Sequence, residues 1–186
     1  MKNSDVKTKV LNTAAQLFYK QGYNATGINQ IIEESSIAKA SLYNHFKSKT
    51  ELLYAHLETL NTRWFEQLNE YLEKFTAPED KILAIFDFRI QRQVSQEFGG
   101  CPFIKASAEV PVDDARAFEI INRHKMNLRA LILKLVQRIP QEQSILNHEE
   151  LTDTIYLLME GATVTVNFQK NPQMLQKAKA VVERLL

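Results

Sequence analysis

The chain has 186 residues, of which 45% are hydrophobic and 24% are charged, so it can bury a core and is not a disordered chain. Its single cysteine excludes an intrachain disulfide framework. No stretch approaches the run of about 18 apolar residues that a membrane span needs, and the N-terminus lacks the apolar segment of a signal peptide. These features predict a cytoplasmic protein with no membrane partner.

The net charge of +1 conceals an uneven distribution along the chain. Residues 1–50 carry seven Lys, no Arg and three acidic residues, a net charge of +4. Residues 51–186 carry 16 basic and 19 acidic residues, a net charge of −3. A basic end on a mildly acidic remainder is the asymmetry expected when one end of a protein meets nucleic-acid phosphates.

The first predicted helix covers about residues 4–21 and ends before Gly22, at a position where helices often finish in a left-handed residue. Thr26 is predicted to cap a second helix through its hydroxyl, and that helix runs to about Ser35. The residues of the first helix that repeat at helical spacing and predict its buried face are Val6, Val10, Ala14, Leu17 and Phe18.

A third short helix is predicted from about Lys39 to Phe46, directly after a tight turn. Leu42 and Phe46 are four residues apart and share one face, while Ile28, Ile31 and Ile32 mark the buried face of the second helix. Two short helices joined by a tight turn form a helix-turn-helix, whose second helix enters a DNA major groove.

The remaining elements are also predicted to be helices. A long fourth helix opens at Ser48 or Lys49 and keeps its apolar spacing for six turns. The sequence Thr76-Ala77-Pro78-Glu79 has the capping-box pattern and begins a fifth helix, about 78–97, that is apolar nearly all round. Further helices are predicted at about 102–110, from a cap at Asp113 to about Ile139, at about 148–168, and from Asn171-Pro172 onward. No segment alternates like a strand, so the fold is predicted to be all-α with about nine helices.

The segments AAQLFYKQGYNATGINQII and KASLYNHFKSKTELL resemble the tetracycline-repressor (TetR) family of transcriptional regulators. The resemblance implies a helix-turn-helix DNA-binding domain at residues 1–50 and a helical ligand-binding and dimerisation domain at residues 51–186. It also implies a homodimer, formed through about residues 148–186, that binds a pseudo-palindromic operator in double-stranded DNA. A small apolar or amphipathic effector would release the operator, and repression is favoured over activation. The residues that carry the resemblance are Leu17-Phe18, Gly22-Tyr23, Thr26, Ile28, Ile31, Leu42-Tyr43, His45-Phe46 and Lys49.

Three positions depart from the family pattern around the turn between the second and third helices. Ser36 stands where the family commonly has Gly, and a left-handed Ser costs on the order of 1 kcal/mol. Ala38 stands where Ser or Thr usually caps the recognition helix, which costs about another 1 kcal/mol. Ala40 replaces a frequent Gly and is harmless in a helix. The start of the recognition helix is therefore predicted to fray when DNA is absent.

The resemblance implies that Tyr43 and His45 contact DNA from the recognition helix and that Lys49 reaches a phosphate. Thr26 and Asn29 would contact the backbone from the second helix. The candidate base readers lie near the start of the recognition helix, where side chains point into the groove; they are Lys39, Ala40, Ser41 and Asn44. Outside this motif, Tyr43 would be read as a packing residue, His45 as a surface histidine and the lysines as a solvated face.

Aromatic and soft side chains of the later helices predict a pocket between helices for an apolar ligand. Arg89 and His124 would orient the ligand, although each aromatic residue taken singly is more often plain core. Small residues of the last two helices, Gly161, Ala162, Ala178 and Ala180, resemble the family's dimer interface. The predicted apolar lining of the pocket is Phe65, Phe86, Phe103, Phe118 and Tyr156.

Cys101 supports an alternative hypothesis, a regulator that senses oxidants or electrophiles through its thiol. It precedes Pro102 at the predicted start of a short helix, where a thiolate would be stabilised. The competing interpretation is a buried structural thiol. A third possibility is a helical protein-interaction module that does not bind DNA.

The chain contains no P-loop, GxGxxG, HExxH, GxSxG or paired-cysteine motif. An enzyme, a cofactor and a metal site are therefore not predicted.

Overall fold

The computed structural model describes residues 3–140 and 146–186. Within these ranges the chain forms nine α-helices and no strand, which confirms the predicted all-α fold. None of the described helices is long and apolar enough to cross a membrane. The helices are α1 (Asn3–Gln21), α2 (Ile28–Ser35), α3 (Lys39–His45), α4 (Lys49–Leu72), α5 (Pro78–Ser95), α6 (Pro102–Glu109), α7 (Ala115–Val136), α8 (His148–Gln169) and α9 (Gln173–Glu183).

The chain divides into two compact units, which we call the head and the body. The head comprises Met1–Thr62 with Pro102–Asn122, and the body comprises Arg63–Cys101 with Arg123–Leu186. The head therefore contains the helix-turn-helix together with α6 and the first part of α7. The domain boundary near residue 50 stays a prediction, which rests on the sequence pattern of the helix-turn-helix segment alone.

The core of the head forms where the apolar faces of its helices meet. The ring of His56 lies 5.6 Å from that of Phe18, and burial lowers the pKa of His56 to about 4, so the imidazole is neutral at pH 7. The helical spacing seen in the sequence accounts for the buried side chains of α1 to α4, namely Val10, Ala14, Leu17, Phe18, Ile31, Leu42, Leu52, Leu53 and Leu57, with Ile37 and Phe46 from the connections.

The core of the body is built around α5, which is buried on most of its circumference as its apolar composition predicted. Helix α9 packs against both α5 and α8. The body core draws on every helix of the unit and includes Trp64, Leu68, Ile82, Ile85, Phe86, Leu128, Ile132, Ile155, Met159, Val166, Leu175 and Val182.

Three predicted helix caps are wrong, each by one residue, and two of them are at the starts of α5 and α7. Helix α5 has Ala77 rather than Thr76 as its N-cap, because Pro78 occupies the first helical position and leaves the threonine one residue too early. Helix α7 begins at Ala115, and Asp114 rather than Asp113 accepts the backbone N–H of Ala117 at 3.0 Å.

The predicted cap of α2 is also wrong, since Gly27 is its N-cap and no side chain caps it. Conversely, α8 begins with a full capping box that the sequence reading missed. Asn147 accepts the N–H groups of Glu149 and Glu150 at 3.0 Å each, and the Glu150 carboxylate accepts the N–H of Asn147 at 2.9 Å.

The turn between α2 and α3 has the geometry predicted from the departures of Ser36 and Ala38 from the TetR pattern. Ser36 lies in the left-handed region, with φ 50° and ψ 39°, and its N–H donates to Glu33 O at 3.0 Å. Ala38 is the N-cap of α3 and supplies no side-chain hydrogen bond. A strained residue and an uncapped helix therefore lie two positions apart.

We expect Ser36→Gly and Ala38→Ser each to stabilise the head by about 1 kcal/mol, the first by removing left-handed strain and the second by supplying a cap. Amide hydrogen exchange of the DNA-free protein measures the effect locally. Residues 37–41 should exchange faster than Leu53 in the wild-type chain, and the two substitutions should slow them. Ala40→Gly, in the same helix, is the control and should destabilise it. Wild-type protection of residues 37–41 equal to that of Leu53 would contradict the frayed start.

Candidate functional site

Helix α3 presents a polar face to solvent while its opposite face is buried. Leu42 is fully buried and Phe46, its C-cap, is 4% exposed. The side chains predicted to read DNA are either exposed or partly buried. Lys39, Ala40, Tyr43 and Asn44 are exposed, and Ser41 and His45 are partly buried.

The N-termini of both helices of the motif lack a side-chain cap. The first N–H groups of a helix have no intrahelical partner, and together with the helix dipole they form a favourable position for an anion. Asn29 is exposed at the second position of α2, two residues after the N-cap Gly27. The motif therefore offers two uncapped helix starts close to exposed polar side chains.

Thr26 has a different role from the one predicted. Its side chain is fully buried, and its hydroxyl donates to Gly22 O at 2.6 Å. The hydroxyl therefore holds the loop between α1 and α2, and in this structure it is neither a cap nor a group that DNA can reach.

Lys49, predicted to reach a phosphate, is engaged inside the head. Its ammonium donates to Tyr23 O at 2.9 Å and to Thr26 O at 3.0 Å, and it lies 4.2 Å from the centroid of the Tyr23 ring. Burial lowers the pKa of Lys49, and the negative charge of Glu109 opposes that shift. An ammonium has three donors, so a phosphate contact would use the third.

Glu109, the last residue of α6, is hydrogen-bonded to the loop that precedes the helix-turn-helix. Its Oε2 accepts the backbone N–H of Asn24 at 2.7 Å, and its main-chain carbonyl accepts Asn24 Nδ2 at 3.0 Å. Gly22 has φ +90°, and a Cβ built there would lie 2.7 Å from Glu109 Oε1. Within the head, α6 is thus fitted closely to the loop between α1 and α2.

The body contains a buried cluster of charged side chains. Arg89, only 5% exposed, lies 3.3 Å from Glu160 Oε1 and donates to Thr163 Oγ1 at 3.0 Å. Lys125 forms a close ion pair with the other oxygen of the same carboxylate. Arg89 was among the predicted ligand residues, whereas Glu160 and Lys125 were missed. A signal for Glu160 was available, because it is the sole charged residue between positions 154 and 169.

Aromatic rings adjoin this cluster. The imidazole of His124 lies 5.2 Å from the Trp64 ring and 5.5 Å from the Phe65 ring, in edge-on geometry. The guanidinium of Arg89 lies 5.7 Å from the Trp64 centroid. Burial, followed by the charges of Lys125, Arg89 and Arg92, lowers the pKa of His124 to about 3, so its ring is neutral at pH 7. Three of the predicted ligand residues, Phe65, Arg89 and His124, are therefore brought together around Trp64.

The other four predicted ligand residues differ in their surroundings. Phe86 is fully buried in the body core and is a packing residue. Phe103 and Phe118 belong to the head. Tyr156 is partly exposed in the body, and its pKa is raised by burial and then by the charge of Glu160.

Cys101 is partly exposed, which contradicts the buried-thiol interpretation. Lys125 Nζ donates to its sulfur at 3.4 Å. Among the described residues no group of three or more His, Cys, Asp or Glu side chains is arranged to hold a metal ion.

Helix α8 has an apolar stripe that faces solvent. Leu157 is 66% exposed, Val164 45% and Phe168 69%. Together with exposed Gly161 they follow the 4, 3, 4 spacing of one helix face. Two of the small residues assigned to the dimer interface, Ala162 and Ala178, instead pack inside the body core. That part of the interface prediction is wrong, because the small side chains serve packing within one chain.

The chain is all-α, and the second helix of its N-terminal helix-turn-helix has an exposed polar face. This is the architecture of a helical DNA-binding regulator. The family model described as bacterial regulatory proteins, tetR family, matches residues 10–55. The model described as tetracyclin repressor-like, C-terminal domain, matches residues 78–182. The chain belongs to the TetR family, as the sequence motifs predicted.

Curated relatives include three regulators from different bacteria. The chain is 32% identical over 111 residues to the HTH-type transcriptional regulator LmrA of Bacillus subtilis, covering 59% of each chain. It is 41% identical over 63 residues to QacR of Staphylococcus aureus, covering 34% of each. It is 22% identical over 187 residues to the repressor NemR of Escherichia coli, covering 98% of this chain and 94% of NemR. The chain thus spans about three fifths of LmrA and one third of QacR.

Solved structures show the same fold over nearly the full length. The reduced form of E. coli NemR superimposes with a TM-score of 0.82 at 23% identity, covering 97% of this chain and 96% of that one. A TetR-family regulator from Streptomyces coelicolor gives a TM-score of 0.85 at 21% identity, covering 99% and 95%. At these identities the similarity concerns the fold alone.

Proposed function

We propose that the protein is a transcriptional repressor that binds a pseudo-palindromic operator as a homodimer and releases it when a small molecule binds the body. The observation that carries this proposal is the exposed face of α3. Lys39, Tyr43 and Asn44 point to solvent there, on a helix held by the burial of Leu42. Basic and hydrogen-bonding groups on the outer face of a recognition helix are what base and phosphate contacts require.

The two uncapped helix starts complement these side chains. Free N–H groups at the beginning of α2 and α3 would bind phosphate oxygens, which fixes the register of the helix in the groove. Asn44 suits adenine, Lys39 suits guanine and Ala40 suits a thymine methyl group. Operator selection from random duplex DNA would identify the sequence that they read.

On the selected operator, Lys39→Ala and Asn44→Ala should each weaken binding by roughly 5- to 150-fold, which corresponds to the loss of about 1–3 kcal/mol per contact. Lys134→Ala is the control, because Lys134 is an exposed lysine of α7 in the body. Wild-type affinity, measured by fluorescence anisotropy, should fall steeply with salt because phosphate contacts release counterions. Binding without salt dependence, or to no duplex at all, would favour a protein-interaction module.

The dimer is proposed to form through the outer face of α8. Exposed apolar stripes of this kind mark protein contacts, and two-fold pairing would cover Leu157, Val164 and Phe168 on both chains. Exposed Gly161 lies in the same stripe, and a Cβ there would meet no atom within 4 Å of its own chain. A small residue at this point would let two backbones approach closely.

Leu157→Glu and Phe168→Glu should each weaken self-association by about 100-fold or more, because an unpaired charge in an apolar contact costs several kcal/mol. Sedimentation equilibrium would measure the dissociation constant. Val112→Glu is the control, since Val112 is 94% exposed and lies in the head. If both α8 variants stay as dimeric as the control, the interface lies elsewhere.

Release would require that the effector bind two arrangements of the protein unequally. The contacts of Glu109 with Asn24 support a route for the signal within the head. Displacement of α6 would carry the loop between α1 and α2 with it, and that loop adjoins the start of the helix-turn-helix.

A second candidate function is thiol sensing through Cys101, favoured by the hydrogen bond from Lys125 to its sulfur. The partly exposed sulfur is the atom that would react with an electrophile, and the ammonium of Lys125 contacts it directly. With an electrophilic alkene such as N-ethylmaleimide, a new S–C bond would form while the thiol proton passes to the adjacent carbon of the former double bond.

N-ethylmaleimide should release operator from the wild-type protein and leave the Cys101→Ser variant bound, as read by anisotropy. The chain has a single cysteine, so mass spectrometry should show one adduct on the wild-type protein and none on the variant. Equal release of both proteins would rule out the thiol as the sensor.

A further inference from the structure

The buried charged cluster of the body is incompletely hydrogen-bonded. Arg89 Nε is buried and has no hydrogen-bond partner, and the same is true of Glu160 Oε1. The guanidinium therefore approaches the carboxylate at 3.3 Å without donating to that oxygen, and it donates instead to Thr163. A buried donor without an acceptor is unfavourable, so this N–H marks a position that an additional acceptor would stabilise.

The charges of the cluster do not balance. Arg89 and Lys125 share the single carboxylate of Glu160 in the contacts that join these residues. His124 is neutral at pH 7 and adds no charge. One more negative charge would therefore be accommodated favourably, because paired buried charges are far less costly than unpaired ones.

The side chains around the cluster indicate which kind of ligand would carry the additional negative charge. Trp64 and Phe65 place flat apolar rings beside His124, and Trp64 also faces the guanidinium. The side chains of Lys125 and Glu160 are 11% and 15% exposed, so the cluster is not sealed on every side, and Phe65 and Tyr156 are partly exposed as well. A planar acceptor group on a flat apolar body matches this combination, since Arg binds carboxylates in the plane of its guanidinium and aromatic rings pack edge to face.

We propose that the effector is a small aromatic carboxylic acid, bound as its anion, with its carboxylate on Arg89 and Lys125 and its ring beside Trp64 and Phe65. This identification of the ligand class rests on the proposed effector-responsive function. Arg89 Nε donates to one carboxylate oxygen, and the ammonium of Lys125 supplies the second positive charge. Thr163 is a positioning residue, because its hydroxyl accepts from the guanidinium and fixes its orientation.

Isothermal titration calorimetry of the full chain without DNA tests the proposal with benzoate, trans-cinnamate and 1-naphthoate, each paired with its neutral carboxamide. We expect at least one of these acids to bind about tenfold or more tightly than its amide, because only the anion fills the charge deficit. Arg89→Gln and Lys125→Gln should each reduce that affinity by about tenfold or more. Thr163→Val should reduce the acid's affinity less than Arg89→Gln does.

Arg129→Gln is the matched control, because Arg129 is a partly exposed arginine of the same body that pairs with Glu149 and Asp153. It should leave carboxylate affinity unchanged. Circular dichroism checks that each variant is folded. If Arg89→Gln does not fold, the affinity of the Lys125→Gln variant tests the proposal, because Lys125 is the more accessible of the two residues.

The proposal is overturned if none of the acids binds, if the amides bind as well as the acids, or if Lys125→Gln retains full affinity. The cluster would then be a structural ion network. Operator binding is measured separately, so a protein that binds DNA but no carboxylate disproves only the ligand class. A protein that binds a carboxylate but no DNA disproves only the regulatory function.

Discussion

The fold of the head depends on packing contacts that stabilise two helices too short to be stable in isolation. Helices α2 and α3 have eight and seven residues, whereas isolated helices shorter than about 12–15 residues are marginal in water. Tertiary packing must supply the difference, and Ile31 and Leu42, both fully buried, provide the apolar contacts. Lys49 holds the preceding loop through two carbonyl groups. One face of α3 is thus committed to packing, which leaves the other face free to read DNA.

Most of the fold was predictable from the sequence because helical periodicity is a direct physical consequence of burying one face. The spacing of Leu42 and Phe46 located the recognition helix, and the left-handed position of Ser36 followed from the family pattern. The caps were less predictable. A hydroxyl such as that of Thr26 can bond to any of several nearby backbone groups, and the sequence does not say which one tertiary packing will bring within reach.

The buried charges of the body were the least predictable feature. Arg89 was expected to orient a ligand, and Glu160 stands out as the sole charged residue between positions 154 and 169, but Lys125 resembles an ordinary solvated charge on its own helix. Only the packing of α5, α7 and α8 shows that one carboxylate serves two cations. Long-range electrostatic pairing leaves no periodic trace in a sequence, so the strongest candidate site of the body emerged from the structure.

The close fit between Gly22 and Glu109 has a consequence for how this protein tolerates mutation. Two features disfavour a larger residue at position 22, since its backbone is left-handed and the carboxylate of Glu109 would have to move to make room for a Cβ. Shortening Glu109 would remove the second feature but not the first, and it would also sacrifice the hydrogen bond to Asn24. Shortening Glu109, 87 residues further along the chain, would therefore relieve a substitution at Gly22 only in part, because the left-handed backbone would still be strained.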